Sequence, residues 1–385
     1  MEQKNKSLLS PEFQFLILML QNQLGAISID KIIDFKSNVK SWNRFVSLVI
    51  HHRLVSVVFS NLEKIGLELP TEENVRLKHH FEIERKKNFI LNASLIKLND
   101  SLSSEVDILW FKGVLQSQRM YNNPLLRSYS DLDLYIDKND LVLVDKILRK
   151  EGYFPIIEWT EFSNSHFSKY SEFIKEMAYV HEKMNVCIDV HWNLVMSPEL
   201  FPFSFNEVFQ SAKEFTIHNK TLKSLNDYHN FIYLNIHGCF DHWRYLAQLF
   251  DVTASLKNSP DLKIEFENYL KSQHLDSSLL LGIEFSNALF ENENNSKIEI
   301  EQLISSYEIP FAENVEGKLD RLNFFKRHWR YHKSWNYRKN CFEANFFYGD
   351  NEDLWRLPRS LFFLYYISVP FRWLGRKIRR KKSLS

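Results

Sequence analysis

The sequence has few cysteines and few glycines, and it lacks any hydrophobic run long enough to cross a bilayer. Only 3 of its 385 residues are cysteine and 9 are glycine. Cys187, Cys239 and Cys341 do not have the spacing of a metal site, and their scatter argues against a disulfide framework, which suits a reducing cytoplasm. No apolar run approaches the roughly 20 residues that a transmembrane helix needs. We therefore expect a cytoplasmic protein.

An excess of charge of one sign is also missing, since 49 basic residues are balanced by 48 acidic ones. Global charge therefore indicates no particular partner. The apolar run FQFLILML near the N-terminus follows Glu12 and ends at Gln21, and no small-residue cleavage site comes after it. This pattern predicts a helix rather than a signal peptide.

Hydrophobic periodicity divides the chain into four regions. We predict an N-terminal helical region at 1–104, an α/β core at 105–222, a C-terminal helical region at 223–359 and an apolar and basic tail at 360–385. In the core, DILWF and DLDLYI read as buried strands, and GVLQSQRMY and NDLVLVDKILRKEGY read as helices. The segment EMAYVHEKMNVCIDVHWNL reads as two strands around a turn. The predicted fold class is α+β.

Three aspartates in the predicted strands form a candidate metal site. Asp131 and Asp133 stand two apart, so they project from the same face of one strand. Two adjacent carboxylates repel unless a cation lies between them, and Mg²⁺ prefers oxygen ligands while keeping waters for substrate phosphates. Asp189, in the strand CIDVHW, supplies a third carboxylate from another strand. The alternative interpretation of the pair is a solvated strand edge.

Two basic residues near these aspartates form a candidate phosphate site. Lys112 and Gly113 lie between a predicted strand and a predicted helix, where backbone N–H groups and the helix dipole favour an anion. Arg127 could hold a phosphate through its forked donors. An ordinary turn at Lys112 and a structural pairing of Arg127 with Asp131 or Asp133 remain open. We expect Lys112 and Arg127 to serve phosphates rather than the fold, because a core position would bury a charge at high cost.

These stretches together resemble a bacterial family of uncharacterised nucleotidyltransferases within the polymerase β-like superfamily. The resemblance lies in FKG, LRSYSDLDLYI, EGY, IDVHWNL and LNIHGCFDHWRYLAQLFDV, which fall between residues 110 and 252. It implies a nucleotidyltransferase-like core with a mixed β-sheet and helices. The N-terminal helical start is similar to that family as well.

The resemblance implies Mg²⁺- or Mn²⁺-dependent transfer of a nucleotidyl group from a nucleoside triphosphate to a hydroxyl acceptor. Asp131 and Asp133 would bind two metal ions, and Asp189 would complete the site or act as the base. The acceptor would be a small molecule, a glycan or a protein, and no specific nucleic acid is expected. The wider superfamily usually has Gly-Ser in the phosphate turn, whereas this chain has Lys112 and Gly113 there.

Histidines are the remaining candidate ligands. His191 shares a strand face with Asp189 and could orient a metal ligand or the acceptor, or it could simply be packed in the strand. His181 is expected to be structural. The pairs His51–His52 and His79–His80 lie in helical stretches without acidic partners at ligand spacing, so we do not assign them to a metal.

Three further polar residues, His237, Arg244 and Asp251, are each seven apart. In one continuous helix they would share a stripe and could form a polar wall of the site. Gly238 could interrupt that helix, and then only Arg244 and Asp251 need align. The structural alternative is a buried ion pair between Arg244 and Asp251 that joins helices.

The C-terminal tail combines the apolar segment SLFFLYYISVPFRWLG with RKIRRKKSLS, which holds six basic residues and no acid. This composition fits a peripheral site on an anionic membrane surface, at its inner face. It also fits a packed helix followed by a solvated end.

Two other function classes compete with the transferase. One is a noncatalytic binding or assembly protein that keeps the fold, which the missing serine favours and the three aspartates oppose. The other is the antitoxin of a toxin–antitoxin pair.

Overall fold

The N-terminal part of the computed structural model is helical, as predicted. The structure describes residues 9–161, 171, 174–291, 307, 326, 328–347, 361 and 364. Five helices precede the sheet: α1 (Pro11–Gln23), α2 (Ile29–Lys36), α3 (Trp42–His51), α4 (Val55–Ile65) and α5 (Thr71–Leu102). Helix α1 begins where Ser10 accepts a hydrogen bond from the Phe13 N–H and Pro11 occupies the first turn.

A five-stranded mixed sheet follows. Its strands are β1 (Ile108–Phe111), β2 (Leu132–Ile136), β3 (Phe154–Pro155), β4 (Glu176–His181) and β5 (Val186–His191), in the order β1-β2-β5-β4-β3. Strands β2 and β5 are parallel, and the other neighbouring pairs are antiparallel. Helix α6 (Gly113–Tyr121) connects β1 to β2, and α7 (Leu141–Lys150) follows β2. The α+β fold class with a mixed sheet is confirmed.

The C-terminal part begins with helix α8 (Phe205–Gln210) and a two-stranded hairpin, β6 (Lys213–Ile217) and β7 (Lys220–Ser224). The helices after it are α9 (Asp227–Phe240), α10 (Leu246–Asn258), α11 (Leu262–Ser272), α12 (Leu281–Ser286) and α13 (Trp335–Phe347). Single-turn 3₁₀ helices cover Lys138–Asp140, Trp159–Glu161, Pro198–Leu200 and Ser277–Leu280, and a π-helical turn covers Asn287–Glu291.

The two faces of the sheet pack against different helices. One face, which includes Trp110, Leu134 and Val190, shares a core with residues of α5 and α7. The opposite face, which includes Phe111 and Tyr135, belongs to a second core that contains residues of the N-terminal helices and of α9 and α10. Because side chains alternate along each strand, the aspartates of β2 and β5 lie on this second face, beneath the helices.

The prediction that no segment spans a membrane is tested only for part of the chain. Among the residues that the structure describes, no helix is both long enough and apolar enough to cross a membrane. The tail at 360–385 lies almost entirely outside those residues.

The stretch from His237 to Asp251 is not one helix, contrary to the arrangement in which three polar residues share a stripe. Helix α9 ends at Phe240, the chain turns, and α10 begins at Leu246. Gly238 does not cause this break, since it lies inside α9. A Cβ at Gly238 would overlap the ring of Trp243, which the turn folds back against the helix. Glycine is therefore needed at this position for close packing.

Replacing Gly238 by alanine tests this packing. Helix propensity alone would stabilise the variant by about 1 kcal/mol. Overlap with Trp243 should instead destabilise it by about 1–3 kcal/mol, the usual effect of overpacking a core. Thermal or urea unfolding measures the sign. Gly66→Asn is a matched control, because Gly66 ends α4 in the left-handed conformation with open space around it. A Gly238→Ala protein as stable as the wild type would contradict the packing argument.

Candidate metal and phosphate site

The turn between β1 and α6 places a lysine in a strained backbone conformation. Lys112 has φ 52° and ψ −151°, a backbone region that residues other than glycine rarely occupy. Gly113 follows with φ 29°, and a Cβ there would lie 3.5 Å from the Asp131 carbonyl oxygen. The predicted Lys-Gly turn therefore packs against the loop that carries Asp131, and Lys112 points across the end of β1.

Parallel pairing of β2 with β5 brings two of the predicted carboxylates side by side. Asp133 is directly opposite Asp189 in the register. One ligand atom each from Asp133, Asp189 and His191 lie within 4.8 Å of one another. In the described part of the chain this tight group contains His191 in place of Asp131. Asp131 precedes β2 by one residue and is half-buried.

Asp133 holds the centre of the site. Its Oδ1 accepts a hydrogen bond from Lys112 Nζ at 2.7 Å and lies 3.0 Å from His191 Nε2. The side chain is only 3% exposed. Burial alone would raise the pKa of Asp133, but the Lys112 charge and the hydrogen bond with His191 hold it well below its usual range. Lys112 and His191 therefore both contact the same oxygen of Asp133, Oδ1.

His191 connects this carboxylate to a second acidic residue. The imidazole is fully buried and packs edge-on against Phe111, with ring centroids 4.9 Å apart. Its Nδ1 lies 3.0 Å from Glu176 Oε2, although the pair falls outside hydrogen-bond geometry. Glu176 is paired in turn with Lys175. Burial would raise the pKa of Glu176, but His191 and Lys175 lower it.

The site carries more negative charge than its lysines neutralise. Four carboxylates, from Asp131, Asp133, Glu176 and Asp189, stand against Lys112 and Lys175. Burial, followed by the charges of Asp133 and Glu176, raises the pKa of Asp189 to about 6. Burial and the charge of Asp133 also raise the pKa of Asp131. A divalent cation would relieve this repulsion, so the residues present fit an oxygen-liganded metal ion.

Arg127 is bound within the protein. Its Nε and Nη2 both lie 2.9 Å from Asp251 Oδ2 on α10. Neither Asp131 nor Asp133 is this partner, and Asp251 does not pair with Arg244. Arg244 is exposed in the turn before α10, where its guanidinium lies 5.4 Å from the centre of the Tyr245 ring. The sequence therefore predicted a buried Arg–Asp pair but assigned it the wrong arginine.

Lys112 and Arg127 thus both belong to largely buried ion pairs. The premise that a charge buried at these positions would lack a partner is wrong, because each has a carboxylate partner that offsets part of the cost of burial. The role of the two residues toward phosphates stays a prediction. Sequence reasoning could not foresee these partners, which come from other elements.

Helix α5 holds the loop in front of β2 through three polar residues spaced four apart. Ser128 Oγ donates to Glu84 Oε1 at 3.2 Å, and Asn88 Nδ2 donates to the carbonyl oxygens of Leu125 and Arg127 at 3.0 and 3.1 Å. Asn92 Nδ2 donates to the Tyr129 hydroxyl at 2.6 Å. Sequence analysis missed this stripe. The spacing of four is visible in the sequence, but no sequence pattern indicates which segment these three side chains contact.

Helix α9 packs over the face of the sheet that carries the site. Tyr233 packs against Phe111 at 5.4 Å between ring centroids and against His237 at 5.3 Å. Partial burial, followed by the nearby Lys112 charge, lowers the pKa of His237, so its imidazole is neutral at pH 7. His237, predicted as an accessory residue, therefore lies at the site together with a tyrosine that sequence analysis missed.

Two further histidines, His52 and His181, have structural surroundings. His52 is buried, with Nε2 3.0 Å from the Tyr307 carbonyl oxygen and Nδ1 accepting from the Leu246 N–H. His181 packs edge-on against Tyr153, with ring centroids 5.0 Å apart.

Comparison with known proteins gives one extensive match. A family model described as "Uncharacterised nucleotidyltransferase" matches residues 38–291, well over half of the chain, and this range includes every site residue named above. The chain is also similar to the crystal structure of an antigenic nucleotidyltransferase-like protein from Paracoccidioides brasiliensis. That match has 14% sequence identity and a TM-score of 0.27 and covers 53% of this chain and 96% of that one. A score this low does not establish a shared fold. No curated protein matches the chain.

Metal binding can be tested by stabilisation. A ligand that binds only the folded state adds about 1.4 kcal/mol of stability for each tenfold excess over its dissociation constant. Mn²⁺ or Mg²⁺ should therefore raise the melting temperature of the wild type, whereas Asp133→Asn combined with Asp189→Asn should abolish the rise. The exposed Asp261→Asn is the matched control. Equal stabilisation of the double variant would place the metal elsewhere.

The raised pKa of Asp189 predicts a pH dependence in the metal-free protein. Folding favours its protonated form, so its favourable contribution is present below the unfolded value near 4 and is lost as the pH rises through about 6. Asp189→Asn removes this loss. The variant should gain in melting temperature over the wild type as the pH rises from 4 to 7, and the gain should then level off. A difference that is constant with pH would contradict the raised pKa.

Proposed function

The chain belongs to the uncharacterised nucleotidyltransferase family, and we therefore propose that it transfers a nucleotidyl group from a nucleoside triphosphate to a hydroxyl acceptor. The observation that carries the proposal is the pairing of Asp133 with Asp189 on adjacent strands, beside a lysine at a helix N-terminus. The acceptor would be a small molecule, a glycan or a protein.

Asp133 and Asp189, with Asp131 at the edge, would hold Mg²⁺ or Mn²⁺. When bound, such an ion neutralises phosphate charge and lowers the pKa of a hydroxyl that attacks phosphorus. His191 fixes the Asp133 carboxylate by bonding its Oδ1, which leaves Oδ2 for the ion. The chemistry of the donor set supports an oxygen-preferring ion, because carboxylates dominate it.

Asp189 is the residue we assign to the acceptor proton. Its pKa of about 6 belongs to the metal-free site, and a bound cation would lower it, so the carboxylate is ionised at neutral pH and can accept a proton. Its place at the open side of the tight group supports this role, since Asp189 is less buried than Asp133 and His191.

Lys112 is the residue we assign to the donor phosphates. Its ammonium neutralises Asp133 in the structure, and it stands at the first turn of α6, where backbone N–H groups favour an anion. Arg127 would act on the nucleotide from further away, by holding the loop before β2 against α10.

A noncatalytic binding protein is the second candidate. The ion pair between Lys112 and Asp133 favours it, because the lysine already supplies a positive charge to the carboxylate that a metal ion would need. Phosphate turns of the wider superfamily usually carry a serine, and this turn has none.

Activity separates the two candidates. The wild type should move label from an α-labelled nucleoside triphosphate to a component of cell extract in the presence of Mg²⁺ or Mn²⁺, with release of pyrophosphate. Asp133→Asn should lower the rate by more than the roughly 10–100-fold that loss of an outer-shell partner costs, and His191→Gln should fall within that range. Asp261→Asn should be as active as the wild type.

Failure of the wild type to transfer any of the four nucleotides, while still binding them with metal, would establish the noncatalytic candidate. Equal rates for the wild type and Asp133→Asn would place the chemistry outside this site.

A further inference from the structure

The face of α9 that lies over the sheet presents a buried hydroxyl close to the Lys112 ammonium. Tyr233 is 1% exposed. Its hydroxyl has no hydrogen-bond partner of acceptable geometry among the described residues. A buried polar group left in this state destabilises the fold, so a ligand that pairs with the hydroxyl would be favoured.

The surroundings of this hydroxyl identify the kind of group it would bind. Lys112 Nζ lies 5.6 Å from the centre of the Tyr233 ring, and the charges of Lys112, Asp133 and Glu176 all act on the phenol. The hydroxyl therefore faces the metal and phosphate site rather than the helical core. One turn further along α9, the His237 side chain is 35% exposed, so the wall leads out to solvent.

A phenol donor beside an ammonium suits an anionic oxygen. Two donors that converge from α9 and from the turn before α6 would bind an oxygen more tightly if it carries charge. The facing carboxylates would repel a bare anion, so the ligand must arrive with a cation, as a triphosphate does with Mg²⁺.

We propose that the Tyr233 hydroxyl and the Lys112 ammonium together bind a phosphate oxygen of a metal-bound triphosphate. The proposal rests on the nucleotidyltransferase function given above and extends it to the C-terminal helices. Tyr233 is then a substrate-contacting residue, and α9 forms part of the donor site rather than a scaffold behind it.

Tyr233→Phe tests the proposal because it should affect stability and triphosphate binding differently. Removing this hydroxyl, which makes no hydrogen bond of acceptable geometry among the described residues, should leave the melting temperature of the metal-free protein unchanged or raise it. The same change should weaken binding of inorganic triphosphate with Mg²⁺ by roughly tenfold or more, as expected for loss of a hydrogen bond to a charged group. Calorimetric titration measures the affinity, and thermal unfolding measures the stability.

Tyr153→Phe is the matched control. Tyr153 is 2% exposed, its hydroxyl also lacks a partner of acceptable geometry, and it belongs to the core on the other face of the sheet. It should match Tyr233→Phe in its effect on stability and bind triphosphate like the wild type.

Each other result overturns the proposal. Normal triphosphate binding by Tyr233→Phe would show that the hydroxyl does not contact phosphate, and the proposed function would stand. A lower melting temperature of the metal-free variant would show that the hydroxyl has a structural partner. Absence of triphosphate binding by the wild type would remove both the proposal and the transferase function.

Discussion

Repulsion among buried carboxylates is the constraint on which this structure depends. Asp133 and Asp189 are opposite each other in a parallel ladder, and Glu176 and Asp131 lie close by. A sheet would not retain such a cluster for stability, because each charge loses hydration and gains a like-charged neighbour. Lys112 and Lys175 neutralise part of the charge, and the contacts of Lys112 and His191 with Oδ1 fix the geometry of Asp133.

The helical regions at both ends of the chain are part of the site. Helix α5 holds the loop before β2 with Glu84, Asn88 and Asn92, and α10 holds the same loop through the pair between Asp251 and Arg127. Helix α9 covers the carboxylates from above with Tyr233. The sheet supplies the charged groups, whereas contacts with the helices fix the orientation of these groups and the access of ligands to them.

Local patterns in the sequence predicted the parts of this arrangement that depend on neighbours in the chain. The alternation around Asp133 predicted strand β2, although Asp131 lies just before that strand, and the Lys-Gly turn was placed correctly between a strand and a helix. The partners of these residues depend on contacts across long stretches of chain. Arg127 and Asp251 are 124 residues apart, and Tyr233 stands in an apolar helix where it reads as an ordinary core residue. No periodicity encodes such contacts, because they arise from the packing of whole elements.

The parallel pairing of β2 with β5 has a consequence for how the protein matures. Parallel neighbours cannot be joined by a tight hairpin, and here α7, β3 and β4 all lie between them in the chain. Contacts of such long range form late in folding, since the entropy of closing a long loop opposes them. Asp133 and Asp189 are brought together by this pairing and not by their neighbours in the chain. Any divalent-ion site at these two aspartates would therefore form only when β2 and β5 pair.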